Sequence, residues 1–263
     1  MTKKTPAKTK EKRPSFIKSV IEKASRGKPR AARAFAESLL SGLVEDDFAG
    51  LSADDVVHLA TSGWDFIVKR PAKTHNLRIV TPGAKRGALR NFTIVEILNP
   101  DMPFLVDSVM GEIQDRGYRV HLVLHPILRV VRDGKRNIQS LAGAGGPAPD
   151  NAVKESYIQV HIPRITREQA DALADALDRI LNDVRTVVSD WRQMLEGLDA
   201  AIAAYTTAPP SVPVADLAES IQFLKWLLDN NFTFLGMRTF KFVGDRKKGE
   251  LKPGPGSGLG ILR

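Results

Sequence analysis

The stretch from Asn99 to Arg132, NPDMPFLVDSVMGEIQDRGYRVHLVLHPILRVVR, constrains the fold more than any other part of the chain. Phe92 to Leu98 before it reads as a strand, which Asn99-Pro100-Asp101 stops. Leu105, Val106, Val109, Met110 and Ile113 then recur at helical spacing, and Gly117 is placed as a left-handed cap. Asp101 is positioned to accept from the free N–H groups of that helix's first turn, where Pro103 is tolerated because its missing donor would have no partner. Tyr118 to Leu124 alternates, with Val120, Leu122 and Leu124 on one face and His121, Val123 and His125 on the other. Pro126 then makes the strand bulge or run along an edge before Ile127 to Val131. After a turn at Asp133-Gly134 and a mobile insertion, GAGGPAPD from Gly143 to Asp150, Ser156 to Ile162 alternates again. Thr166-Arg-Glu-Gln169 is a capping box, opening a helix with Leu173, Leu177, Ile180, Leu181 and Val184 in one stripe. With Arg185 to Val188 as a short last strand, the order is strand, helix, strand, strand, helix, strand. That is the split βαβ of a ferredoxin-like α+β domain.

Upstream, Phe16, Ile17, Val20 and Ile21 and then Phe35, Leu39, Leu40 and Leu43 predict two helices. A third starts at the capping box of Ser52, carries Val56, Val57, Leu59, Ala60, Trp64 and Ile67, and ends at Pro71. Leu77 to Val80 is a strand joined to Phe92–Leu98 by a Gly-rich turn. Downstream, a helix with Trp191, Met194, Leu195, Leu198 and Ile202 leads to the linker Ala208–Pro213. An amphipathic helix with Leu217, Ile221, Leu224 and Leu228 follows, and Phe232 to Val243 reads as one long strand. The expected organisation is a disordered basic tail over 1–13, a helical segment over 14–75, an α+β domain over 76–205, a linker over 206–213 and the start of a second, truncated module over 214–263. Leu259, Ile261 and Leu262 at the very end suggest a chain cut inside a larger protein.

The net charge of +9 suggests nucleic acid until its position is noted. Met1 to Arg33 holds twelve Lys and Arg against Glu11 and Glu22, so the remainder is near −1. The tail then reads as a solubilising terminus, with a basic nucleic-acid arm on a ferredoxin-like domain as the alternative. No apolar run approaches the ~20 residues that span a bilayer, which points to a soluble, cytoplasmic protein without a membrane partner. Zero cysteines excludes disulfides, thiolate metal sites and cysteine nucleophiles.

Met102 to Val109 and His121 to Gly134 closely resemble the N-terminal region of the large, NAD-specific type of glutamate dehydrogenase. Glu155-Ser-Tyr-Ile-Gln159, Val187-Val-Ser-Asp-Trp191, Asn231 to Arg238 and Gly258 to Leu262 are similar too, in the same order. The resemblance covers nearly everything after about Ser52. It implies ACT-like modules here and substrate and nicotinamide sites much further along a very long chain. The segment would then be a non-catalytic regulatory or assembly piece of a homo-oligomeric enzyme, partnered by that enzyme's other domains and subunits. NAD would be a cofactor of the parent and not of this segment. In agreement, neither Gly143–Gly146 nor Gly254–Gly260 has the strand, G-x-G-x-x-G, helix context of a dinucleotide site.

Asp101-Met-Pro-Phe-Leu resembles the Asp-x-Pro-Gly-Leu turn with which many ACT modules bind amino acids at a helix start. A helix N-terminus offers free N–H groups and partial positive charge to a carboxylate. An amino-acid effector would sit against Asp101, Phe104, Asp107 and Ser108, and a free-standing amino-acid sensor is a further alternative. Phe104 stands where Gly is usual and crowds the approach, which favours a structural role for the turn. His121, His125 and His161 share a strand face with Tyr157 and Gln159; without a carboxylate they read as partnered surface or interface histidines, not a metal site. Tyr157 alone is a poor RNA-stacking platform. Glu168, Asp171, Asp175 and Asp178 form a solvated helix face.

Overall fold

The computed structural model describes residues 13–263 except Ala49, 71–73, 84–86, Ala144 and 246–247. The basic stretch up to residue 12 and Pro71, the expected stop of the third helix, lie outside the described residues. The chain divides into two compact units, one ending at Asp178 and one running from Arg179 to Arg263.

The first unit is built on an antiparallel sheet of β1 (Asn76–Val80), β2 (Phe92–Pro100), β3 (Leu122–Leu124), β4 (Ile127–Arg132), β5 (Ile138–Ala142) and β6 (Val153–Pro163). The order is β1-β2-β6-β4-β5, with β3 also paired to β6. Lanes β2, β6 and β3/β4, with helix α4 (Leu105–Asp115) after β2 and α5 (Arg167–Thr207) after β6, make the ferredoxin-like arrangement. The lane on the far side of β2 is filled by β1, which comes from upstream.

The strand expected at Arg185–Val188 is therefore not used: α5 runs through it for 41 residues. The physical reason is periodicity. Leu173, Leu177, Leu181, Val184, Val187, Met194, Leu198 and Ile202 are all buried at continuous three-to-four spacing or multiples of it, and that stripe outweighs the weak helix propensity of Thr186-Val187-Val188. Pro126 produces no bulge. Leu124 faces Gln159 and Ile127 faces Ser156 in one unbroken register, and the Tyr157 N–H still donates to the Pro126 carbonyl at 3.2 Å. Only the bond that Pro cannot donate is lost, and β5 does not reach this end, so the strand runs along an edge. The β5 hairpin partner of β4 was not legible beforehand.

Strand alternation gives the sheet two faces. One, with Val95, Ile97, Ile158, Val160 and Ile162, is apolar and buried; Leu105, Val109 and Ile113 of α4 and Leu173, Ala176 and Leu177 of α5 are buried with it. The other carries Glu96, Leu98, Tyr157, Gln159 and His161. It is covered by α1 (Arg13–Ser25), α2 (Arg30–Leu39) and α3 (Ala53–Ile67). Phe35 and Phe66 pack their rings on Tyr157 at 5.4 and 6.4 Å. The predicted Ser52 capping box forms, Ser52 Oγ accepting from the Asp55 N–H and Asp55 Oδ2 from the Ser52 N–H. At the other end of α3, Arg132 donates to the Ile67 carbonyl while pairing with Glu155 through two bonds of 2.8 and 2.7 Å. That guanidinium satisfies the Ile67 carbonyl at the helix C-terminus, while the Ile138 N–H donates to the Val68 carbonyl at 2.9 Å.

The second unit holds the remainder of α5, α6 (Val214–Trp226), and two small sheets pairing β7 (Gly236–Met237) with β10 (Leu259–Gly260) and β8 (Phe240–Val243) with β9 (Glu250–Pro253). The long strand expected over Phe232–Val243 is thus two pieces with different partners. Its continuity fails at Thr239, whose carbonyl is taken by the Gly254 N–H and the Ser257 hydroxyl of the following loop. Asp190 on α5, 4% exposed, accepts from the Gly260 N–H at 2.8 Å and from Arg263 at 2.7 Å. Two motifs far apart in sequence, Val187–Trp191 and Gly258–Leu262, meet there.

Candidate functional site

The β2–α4 turn is where the sequence places an effector. The chain leaves β2 at Pro100, and the Asp101 N–H is bound to the Lys154 carbonyl on β6, which anchors the turn to the sheet. Asp101 does not cap α4. The N-cap residue is Phe104, in the left-handed conformation (φ 68°, ψ −3°), and among the described residues no side-chain cap bond is made there. The expected cap fails because the chain makes one more reversal, at Phe104, before the helix begins. Positive φ costs a residue with a Cβ about 1–2 kcal/mol, which is the physical reason glycine suits this position. Asp107 lies exposed in the first turn of α4, where the helix dipole favours it. Ser108 gives its N–H to the Phe104 carbonyl as the first regular helical bond, at 3.0 Å. Asp101, Phe104, Asp107 and Ser108 thus line one turn at the start of α4.

Two further features adjoin this turn that sequence reasoning did not find. Asn99, fully buried, donates to the Pro100 carbonyl at 2.8 Å, and its Oδ1 has no partner among the described residues. A buried acceptor left without a donor is costly, so it marks a place where a donor belongs. His125 Nε2 lies 2.7 Å from the Ser156 hydroxyl. Burial of its ring edge pulls His125 below the ordinary imidazole value, an effect the Asp101 carboxylate partly offsets. Serine, histidine and carboxylate thus come together, but Ser156 is wholly buried and cannot attack a substrate. These contacts depend on the register pairing Asn99 with Ser156, which no local pattern reveals.

The three histidines do not gather into one site: His121 and His125 are exposed, and His161 is buried beside Gln159. His161 is 1% exposed, and burial, aided by the neighbouring His121, lowers its pKa to about 4. His121 is exposed and stacks edge-on with Phe92 at 5.0 Å. Among the described residues, no group of His, Asp and Glu is arranged to hold a metal ion. Tyr157, the sheet residue considered for base stacking, is fully buried and donates to Glu96 at 2.8 Å. Glu96 also pairs with Arg78, Gln159 bridges to the Tyr157 hydroxyl, and Arg78 reaches Ser62 on α3. This face is a packed interface with α1–α3 and not an open binding sheet.

The glycine runs sit between strands: Gly143–Gly146 between β5 and β6, Gly254–Gly258 between β9 and β10. Neither leads a strand into a helix, so neither presents the helix amides that hold a pyrophosphate. Among the described residues no helix is long and apolar enough to cross a membrane.

The family model for the ACT1 domain of glutamate dehydrogenase matches residues 35–177. An NAD-specific glutamate dehydrogenase of Halomonas elongata is 33% identical over 232 residues, and one of Pseudomonas aeruginosa is 31% identical over 231. Each match takes in 87% of this chain but 14% of the relative, so the chain spans about one-seventh of the length of these curated relatives. The matched segment runs from the second covering helix through the whole sheet to the first turns of α5, and on that ground the chain belongs to the ACT1-domain family of glutamate dehydrogenase.

Proposed function

We propose that this chain is the regulatory and assembly segment of a large, cytoplasmic, homo-oligomeric NAD-dependent glutamate dehydrogenase, and is not itself its catalyst. The reaction, L-glutamate with NAD and water giving 2-oxoglutarate, ammonia and NADH, belongs on this reading to a part of the parent polypeptide outside these residues. The ACT1-domain match over residues 35–177 carries the reading. The second unit supports an assembly role, because α6 buries none of its residues and Phe223, Trp226, Phe232, Phe242 and Leu251 stand half or more exposed. Its partners would be further domains and subunits of the parent. The purified chain, given glutamate and NAD, is expected to form no NADH, whereas the parent enzyme lacking residues 35–177 keeps an intact catalytic part but loses its native oligomer or its response to effectors. NADH formation by the chain alone, or an unaltered oligomer and regulation in the deleted parent, would overturn the proposal. A salt-dependent affinity for RNA that survives deletion of residues 1–12 would instead favour a nucleic-acid role.

A second reading concerns the β2–α4 turn, and the placing of Asp101, Phe104, Asp107 and Ser108 together at the start of α4 favours it. An amino acid would offer its carboxylate to the first-turn amides of α4 and its ammonium to the Asp101 and Asp107 carboxylates. A thermal-shift titration with glutamate, aspartate and branched-chain amino acids tests it, since a ligand at 100 times its Kd adds about 2.7 kcal/mol. A melting point unmoved at millimolar concentration by all of them leaves the turn purely structural.

A further inference from the structure

We draw no further inference here: the strongest candidate, the uncovered aromatic face of the second unit formed by Phe223, Trp226 and Phe232 with the β8–β9 hairpin, carries nothing beyond the assembly role proposed above, because nothing in the structure shows what covers it.

Discussion

Phe104 holds a conformation that disfavours it, and this separates two substitutions that look alike. Phe104→Ala and Phe104→Gly both remove the half-buried ring, but only glycine escapes the positive-φ penalty. The glycine variant is therefore expected to be about 1 kcal/mol more stable than the alanine variant, as read from urea midpoints; equal stabilities would mean that the left-handed turn does not form. His161 makes a second residue-level prediction. Its pKa falls from 6.5 in the unfolded chain to about 4 in the fold, so the folded state favours the neutral ring. The contribution to stability is fully present above pH 6.5 and is lost as pH falls from there through about 4. At 1.36 kcal/mol per pH unit it amounts to about 3 kcal/mol for this fully buried ring. Urea titrations between pH 7 and 4.5 should show His161→Gln losing less stability on acidification than the parent chain, and identical slopes would show that the ring is not held neutral.

At the scale of elements, α3 is keyed to the sheet by one close approach. A Cβ at Gly63 would stand 2.7 Å from the Tyr157 hydroxyl and 3.1 Å from the Phe35 ring. Gly63→Ala should therefore destabilise by about 1–3 kcal/mol, although it raises helix propensity by about 1 kcal/mol. Adding Tyr157→Phe should recover part of that loss, because the hydroxyl is the nearest obstruction; strict additivity in the double mutant would refute the contact. The helix periods outside Arg185–Val188, the Ser52 box and the Gly117 cap were legible in the sequence, because each is set by residues within a few positions of one another. Gly117 stands at φ 75°, and the Tyr118 N–H returns to the Ile113 carbonyl. What was not legible depends on pairing across the chain. β1 fills a lane assigned to residues 185–188. The polar residues Glu96, Tyr157 and Gln159 look like a solvent face until α3 is seen to cover them. Asp101, Phe104, Asp107 and Ser108 could be singled out from local order alone. Asn99 and the His125–Ser156 pair required the register of three strands.

Across the whole molecule, the two units differ in how their hydrogen bonds are shielded. β2 and β6 pair along nine successive positions, from Phe92 opposite Pro163 to Pro100 opposite Glu155, and every residue of β2 between its two ends is buried. Opening these amides requires disrupting the sheet and the helices on both its faces. In the second unit all four residues of β8 and all four of β9 are exposed, and a two-stranded hairpin without cover is marginal in water. α6 has no buried residue to hold it. Exposed, thinly packed elements open with little free energy, while core strands open only with global unfolding. Hydrogen–deuterium exchange of the isolated chain should therefore leave Ile94–Leu98 and Tyr157–Ile162 protected longest, with 214–226 and 240–253 exchanging orders of magnitude faster. In the intact parent enzyme the same measurement tests assembly. If the exposed aromatic residues of the second unit are covered there, 214–226 and 240–253 slow while the β2 and β6 amides stay as they were; fast exchange of both segments in the parent would mean that this surface faces water in the assembled enzyme as well.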